Sequence, residues 1–179
     1  GKKQVLEEKQ KKKEAYYQLT FCELVRNGDI DPRRRLAWAP YAATFIRGFI
    51  DLNKYVFRSE HTEDPLQEIL NRHTYEDDRH WRWFLEDLKK LGFDKPLSFN
   101  DSLEFLWGDE TRYSRELTYH FCRFGLGASP VRKAIAIEAI EAAGNVQFSA
   151  AAIASKDLQA LTDKQYKSFG DIPLSVETG

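Results

Sequence analysis

The segment from residue 73 to 88, "HTYEDDRHWRWFLEDL", contains two histidines and several carboxylates at helical spacing. On a helix that turns by 100° per residue, His73 and Glu76 fall within roughly 40° of His80. The apolar residues Ile69 and Phe84 lie on the same stripe. A buried imidazole or carboxylate costs several kcal/mol unless a partner satisfies it. The spacing therefore predicts a polar cluster on the buried face of this helix.

Such a cluster can do two kinds of chemistry. Imidazole and carboxylate groups at i, i+3 and i+7 approach one point from successive turns, as in metal sites between bundle helices. The same groups could act as general acid and base, which makes His80 and Glu76 the candidate catalytic residues. The alternative is a structural set of buried polar groups bonded to neighbouring helices. Asp78 and Glu86 project to the opposite, solvated face.

A second helix offers a carboxylate of the same kind. In "VRKAIAIEAIEAAGNVQFSAAAIAS", Glu141 lies at the centre of an apolar stripe, and Glu138 lies about 60° to its side. A carboxylate in that position needs a metal, a proton or a cationic side chain. The sequence therefore predicts either a ligand from this helix or a buried ion pair.

The elements that must position these residues are all helices. Asn27-Gly28 is typical of a turn, and Asp31-Pro32 predicts a capped helix start. No segment shows the period-two alternation of strands, so the fold class is predicted to be all-α, a bundle of about six or seven helices. Residues 1–14 are predicted to form a charged extension, and residues 15–179 are predicted to form a single domain. The predicted helices span about 14–27, 32–58 with a kink or restart at Pro40, 65–91, 102–107, 110–124 and 130–155, with a last one from Thr162.

The composition narrows the class of protein. The net charge of −1 over 179 residues gives no footprint for nucleic acid or an acidic membrane. No apolar run approaches the roughly 20 residues that span a bilayer. Cys22 and Cys122 form no CxxC pair, which favours reduced thiols. We expect a soluble cytoplasmic protein with a small-molecule substrate.

Three stretches together resemble the heme-oxygenase-like superfamily, which includes TenA thiaminases, pyrroloquinoline-quinone synthase, CADD-type oxygenases and related di-iron oxidases. They are "LVRNGDIDPRRRLAWAPYAATFIRGF", "EDDRHWRWFLEDLKKLG" and "SFGDIPLSVETG". The resemblance covers roughly residues 16–179. It implies a heme-oxygenase-like multi-helix bundle of about seven helices.

The resemblance also implies metal ligands. His80 matches the middle-helix histidine of the di-iron members, Glu141 or Glu138 matches the next carboxylate, and Glu177 matches the last-helix acid. His73 stands where those members tend to carry glutamate, and Pro173 stands near an expected histidine. Because no histidine precedes position 61, haem binding is not expected.

We therefore expect an oxygen-activating oxidoreductase that binds one or two iron or manganese ions and acts on a small organic substrate. Two alternatives stay open: a cofactor-free enzyme that uses the same groups as acid and base, and a non-catalytic binding protein with a structural polar core. Exposed aromatic residues in "HWRWF" could serve a homodimer interface. The predicted metal ligands are His73, Glu76, His80, Glu138, Glu141 and Glu177, and the predicted walls of a substrate pocket are Trp38, Phe45, Phe49 and Trp81.

Overall fold

Helices account for every regular element of the chain that can be described. The structure is a computed structural model that describes residues 2–170. Within that range the all-α prediction is confirmed, with seven α-helices of nine residues or more. The elements are α1 Lys2–Tyr17, α2 Thr20–Arg26, α3 Pro32–Arg35, a 3-10 turn Ala39–Ala42, α4 Ala43–Asp51, a π-helix Leu52–Phe57, α5 Pro65–Asp77, α6 His80–Lys90, α7 Phe99–Trp107, a 3-10 turn Asp109–Thr111, α8 Arg112–Gly125 and α9 Pro130–Thr162.

Two helix starts follow directly from local sequence. The Asp31 carboxylate accepts a hydrogen bond from the Arg33 backbone N–H at 2.8 Å, with Pro32 as the first helical residue. Asp64 caps α5 in the same way, because its carboxylate accepts from the backbone N–H groups of residues 66 and 67. Capping side chains and a first-turn proline satisfy or remove otherwise unpaired N–H groups. The predicted starts at Pro32 and at about Pro65 are confirmed.

The predicted single helix over residues 65–91 is wrong. Helix α5 ends at Asp77, and α6 begins at His80 after a two-residue turn. In that turn the Asp78 N–H bonds to the Tyr75 carbonyl, a tightened i to i−3 bond, at 3.4 Å. The side chain of Asp78 accepts a hydrogen bond from Arg58 at 3.1 Å. A wheel drawn through both helices therefore misplaces residues on either side of the turn.

The predicted helix over residues 32–58 is also divided. Helix α3 ends at Arg35, and Pro40 lies in a 3-10 turn before α4 begins at Ala43. Beyond α4 the chain continues as a π-helix, in which the Arg58 N–H donates to the Asn53 carbonyl, an i to i−5 bond, at 3.0 Å. Proline removes a helical hydrogen bond, so a restart at Pro40 is the expected effect.

The chain folds into two compact units. Of the described residues, unit 1 contains 2–37 together with 139–170. Its apolar core includes Cys22, Leu36, Leu158 and Phe169, each at most 1% exposed. Among residues 2–170, no helix combines the length and apolar character that a membrane span needs. The predicted single domain over residues 15–179 stays a prediction.

Unit 1 also buries a cation. The Arg35 side chain is 1% exposed, and its Nη2 lies 2.5 Å from the Asp157 carboxylate on α9. Its Nη1 donates more weakly, at 3.4 Å, to the Val25 carbonyl. A buried guanidinium is tolerated because an anion and a carbonyl share its charge.

Unit 2 comprises residues 38–138, and close helix packing defines its core. A Cβ added at Gly48 of α4 would lie 2.7 Å from the Thr118 side chain of α8. A Cβ added at Gly125 would lie 2.7 Å from the ring of Phe57 in the π-helix. Residue 48 lies against residue 118 and residue 57 lies against residue 125, so residue numbers rise in the same direction along both segments. Helix α8 therefore runs parallel to α4 and its π-helical extension. These two glycines allow the backbones to approach closely.

Candidate functional site

One carboxylate in unit 2 lies between two imidazoles. The Oδ1 atom of Asp77 is 3.1 Å from Nδ1 of His80, and its Oδ2 atom is 3.5 Å from Nε2 of His73. The Asp77 side chain is 12% exposed, whereas the two histidine side chains are 35% and 36% exposed. The arrangement is therefore a recessed acid with two partly accessible imidazoles. We call these three residues the His-Asp-His cluster.

The turn between α5 and α6 creates this cluster. His73 and Asp77 are one helical turn apart at the end of α5, while His80 is the first residue of α6. Because the chain changes direction at residues 78 and 79, His80 faces back toward Asp77. The His80 ring also stacks on Trp83, with ring centroids 4.7 Å apart and planes 21° apart. A stacked ring and a carboxylate partner restrict the orientation of the imidazole.

Arg58 stabilises the turn from the end of the π-helix. Its Nε donates to the hydroxyl of Thr74, and its Nη2 donates to the carboxylate of Asp78, both at 3.1 Å. Its guanidinium lies 3.6 Å from the ring centroid of Tyr75, and its side chain is only 5% exposed. The Tyr75 hydroxyl donates to the Glu60 carboxylate at 2.6 Å, which raises the tyrosine's pKa. Three residues around the turn are thus bound by one side chain.

Within the described part of the chain, one oxygen of Asp77 lacks the hydrogen-bond partner that a buried carboxylate normally has. Its Oδ2 atom is inaccessible to solvent and has no hydrogen-bond donor among residues 2–170. A buried carboxylate oxygen without a donor is costly unless a cation lies nearby. The cation can be an imidazolium or a metal ion, and the neighbouring histidine nitrogens suit both. The ligand atoms of His73 and Asp77 lie within 4.8 Å of each other and can share a divalent metal, whereas His80 contacts the other oxygen of Asp77 and can relay a proton.

Glu76 does not lie where the sequence predicted. Its side chain is exposed, so the prediction that it lies on the buried stripe is wrong. Ile69, predicted on the same stripe, is 58% exposed. Asp77 takes the inner position instead, since the turn at residue 78 changes the helical phase. The signal was present in the sequence, because Asp77 is four residues after His73 and three before His80.

Three further carboxylates, Glu138, Glu141 and Glu177, were predicted as ligands. Glu138 is the last residue of unit 2 and is exposed on α9. Glu141 is half-buried on α9 and belongs to unit 1. Glu177 lies outside the described residues. The ligand roles of all three stay predictions.

The predicted pocket aromatics are all half-buried residues of unit 2. Phe45 and Phe49 stack on α4 with ring centroids 6.1 Å apart. Trp81 carries the guanidinium of Arg47 at 4.0 Å from its ring centroid. Because Arg47 is also on α4, the Trp81 side chain of α6 lies beside the helix that carries Phe45 and Phe49. Trp38 precedes the 3-10 turn before α4, and a substrate role for these four side chains stays a prediction.

Comparison with known proteins adds no relative. No protein-family model matches the chain, and no curated protein matches it. The resemblance to the heme-oxygenase-like superfamily therefore stays an expectation from the three sequence stretches.

Proposed function

We propose that this protein is a metal-dependent oxidoreductase that binds iron or manganese and activates dioxygen against a small organic substrate. The observation that carries the proposal is Asp77, whose buried oxygen lacks a donor while two imidazoles lie at 3.1 and 3.5 Å. The resemblance to the heme-oxygenase-like superfamily supports the same activity. We also place the protein in the cytoplasm, where its free thiols Cys22 and Cys122 would stay reduced.

The chemistry of the donor set fits such an ion. Two imidazoles and one carboxylate are the ligands typical of non-haem iron sites with open coordination positions. A bound ferrous or manganous ion would supply redox chemistry and a position for dioxygen. His73 and Asp77 would bind it through ligand atoms that lie within 4.8 Å of each other. His80, which contacts the other oxygen of Asp77 and stacks on Trp83, is the further ligand that the sequence predicts. Glu141 is a further ligand candidate from the sequence alone.

Metal content is the direct test of this proposal. We expect protein purified without chelator to contain iron or manganese by elemental analysis, and chelator-treated protein to rebind manganese(II) by paramagnetic resonance. Asp77→Asn and His80→Ala should weaken binding at least tenfold, since each removes a ligand or its partner. His120→Ala, a change at an exposed histidine of α8, is the matched control and should bind normally. Protein that neither contains nor rebinds either metal would refute the proposal.

A second function is favoured by the contact between His80 and Asp77. If Nδ1 of His80 donates to Oδ1 of Asp77 at 3.1 Å, the Nε2 atom is the nitrogen that can accept a proton from a substrate. This pair would serve a cofactor-free enzyme acting on a bound ring compound. Nitrogen-15 NMR of the neutral histidine should then show the Nδ1–H tautomer in chelator-treated protein. Asp77→Asn should change that tautomer, and an unchanged spectrum would exclude the pair.

A further inference from the structure

Helix α7 has an apolar face that the rest of unit 2 does not cover. Phe99, Leu103 and Trp107 follow one another at i, i+4 and i+8, and they are 76%, 38% and 63% exposed. The opposite side of the helix packs inward, where the Phe105 ring lies 5.5 Å from the ring of Tyr41. Large exposed apolar patches commonly mark interaction sites. We call Phe99, Leu103 and Trp107 the α7 face.

A second apolar surface lies where α8 ends and α9 begins. Phe124, Leu126, Val131 and Ile135 are between 38% and 66% exposed. The guanidinium of Arg132 lies 4.7 Å from the ring centroid of Phe124, so the start of α9 lies beside the end of α8. These four apolar residues therefore share one region of unit 2, which we call the α8–α9 face.

The two faces carry opposite charge. Residues 99–111, which include the α7 face, contain four acidic residues and no lysine or arginine. Residues 121–135, which include the α8–α9 face, contain two exposed arginines and no acid, and the one lysine of this range, Lys133, is buried. Acidic Asp101 and Glu104 are exposed on α7, as are Arg123 and Arg132 on the other face. Each face thus has both apolar and charge complementarity to the other.

We propose that a second copy of this chain covers both faces in a symmetric dimer, with the α7 face of each copy against the α8–α9 face of the other. A two-fold axis lets two complementary patches on one chain satisfy each other twice. At about 200 Å² for a large side chain, the seven apolar residues expose on the order of 800 Å², which is what a stable interface needs from each partner. Opposite charges at the rim fix the register.

This interface differs from the one predicted for "HWRWF". Trp81 and Trp83 are half-buried, and Phe84 is 1% exposed, so that stretch does not present an exposed aromatic surface. The apolar side chains of the α7 and α8–α9 faces are exposed to a larger fraction. The proposal does not depend on metal or catalysis in the His-Asp-His cluster.

Sedimentation of the full chain tests the dimer. We expect a species of twice the 20.8 kDa chain mass to predominate as the concentration is raised from about 1 to 200 µM, since interfaces of this size have micromolar or tighter affinity. Phe99→Glu combined with Trp107→Glu should convert it to monomer with an unchanged circular dichroism spectrum, because both side chains are exposed. Ile69→Glu, a matched change at an exposed apolar residue of α5, should leave it dimeric. A monomer throughout, or a dimer that survives the α7 changes, would overturn the proposal.

Charge reversal tests which faces meet. The first variant, Asp101→Lys with Glu104→Lys, and the second, Arg123→Glu with Arg132→Glu, should each be monomeric alone, because like charges then face one another. An equimolar mixture should form a heterodimer, since both of its contacts are again between opposite charges. Failure of the mixture to associate, or association of either variant alone, would exclude this pairing. Binding of the wild-type monomer to lipid vesicles instead would also exclude it.

Discussion

At the scale of single residues, Arg58 shows how a buried cation can position a site without touching it. Its guanidinium satisfies Thr74 and Asp78 and stacks on Tyr75, so the turn between α5 and α6 depends on it. That turn places His80 beside Asp77. An arginine is suited to this position because its planar fork donates in several directions at once.

Replacing Arg58 should therefore destabilise the protein strongly. We expect Arg58→Met to lower the free energy of unfolding by about 2–3 kcal/mol, because it leaves Asp78 and Thr74 without their donor. Arg58→Lys should recover only part of this loss, since one ammonium group cannot match the fork. The control is Arg112→Met, which removes an exposed pair with Glu116 and should change the free energy of unfolding little. Urea denaturation measures both, and equal losses would contradict this account.

Lys133 should make the stability of the folded protein vary with pH in the alkaline range. Burial lowers the pKa of its ammonium below the ordinary value of 10.5. The folded state therefore binds fewer protons than the unfolded state between the lowered pKa and 10.5, so stability rises with pH in that window. We expect Lys133→Met to be more stable than wild type at neutral pH, with a difference that shrinks as pH approaches the upper limit. Unfolding curves at several pH values test this, and a constant difference would contradict it.

At the scale of elements, the glycines on α8 and α9 should respond oppositely to alanine. At Gly125 a Cβ would lie 2.7 Å from the ring of Phe57, which is fully buried and has no room to move. We expect Gly125→Ala to cost about 1–3 kcal/mol from overpacking. At Gly144 the nearest neighbour is Phe148 at 3.5 Å, an ordinary contact. Gly144→Ala should therefore stabilise α9 by about 0.5–1 kcal/mol, and thermal unfolding compares the two.

The elements also show what sequence could and could not predict. The starts at Pro32 and Pro65 were predictable because an aspartate cap and a proline act on neighbouring residues. The turn at Asp78 was not, because its main partner is Arg58, twenty residues earlier. A helical wheel drawn through this turn therefore placed Glu76 on the inner face, where the structure has Asp77. His73 and His80 were the right residue types to single out, but their carboxylate partner depended on tertiary structure.

At the scale of the whole molecule, a bound metal should stabilise the folded state, by an amount that grows with the logarithm of its concentration over its Kd. A ligand present at a hundred times its Kd adds about 2.7 kcal/mol to the free energy of unfolding. For a chain of this size that corresponds to a rise in Tm of roughly 5–10 °C. We expect manganese(II) to produce this rise in wild type and a much smaller one in Asp77→Asn. Magnesium at the same concentration is the control, because it prefers oxygen ligands over imidazole, and an equal rise with magnesium would contradict specific binding.

In the π-helix after α4, the number of residues matters as much as their types for the position of Arg58. A regular α-helix of the same length along its axis would need one residue fewer than this π-helix. Each residue removed from a helix rotates the later residues by about 100° relative to the earlier ones. Arg58 would then turn away from Thr74 and Asp78, although every side chain in the segment could stay chemically the same. Substitutions at the exposed Lys54 or Tyr55 should therefore be tolerated where a deletion of either is not. Reading-frame-preserving deletions, rather than point mutations, are the changes to which this segment is most sensitive.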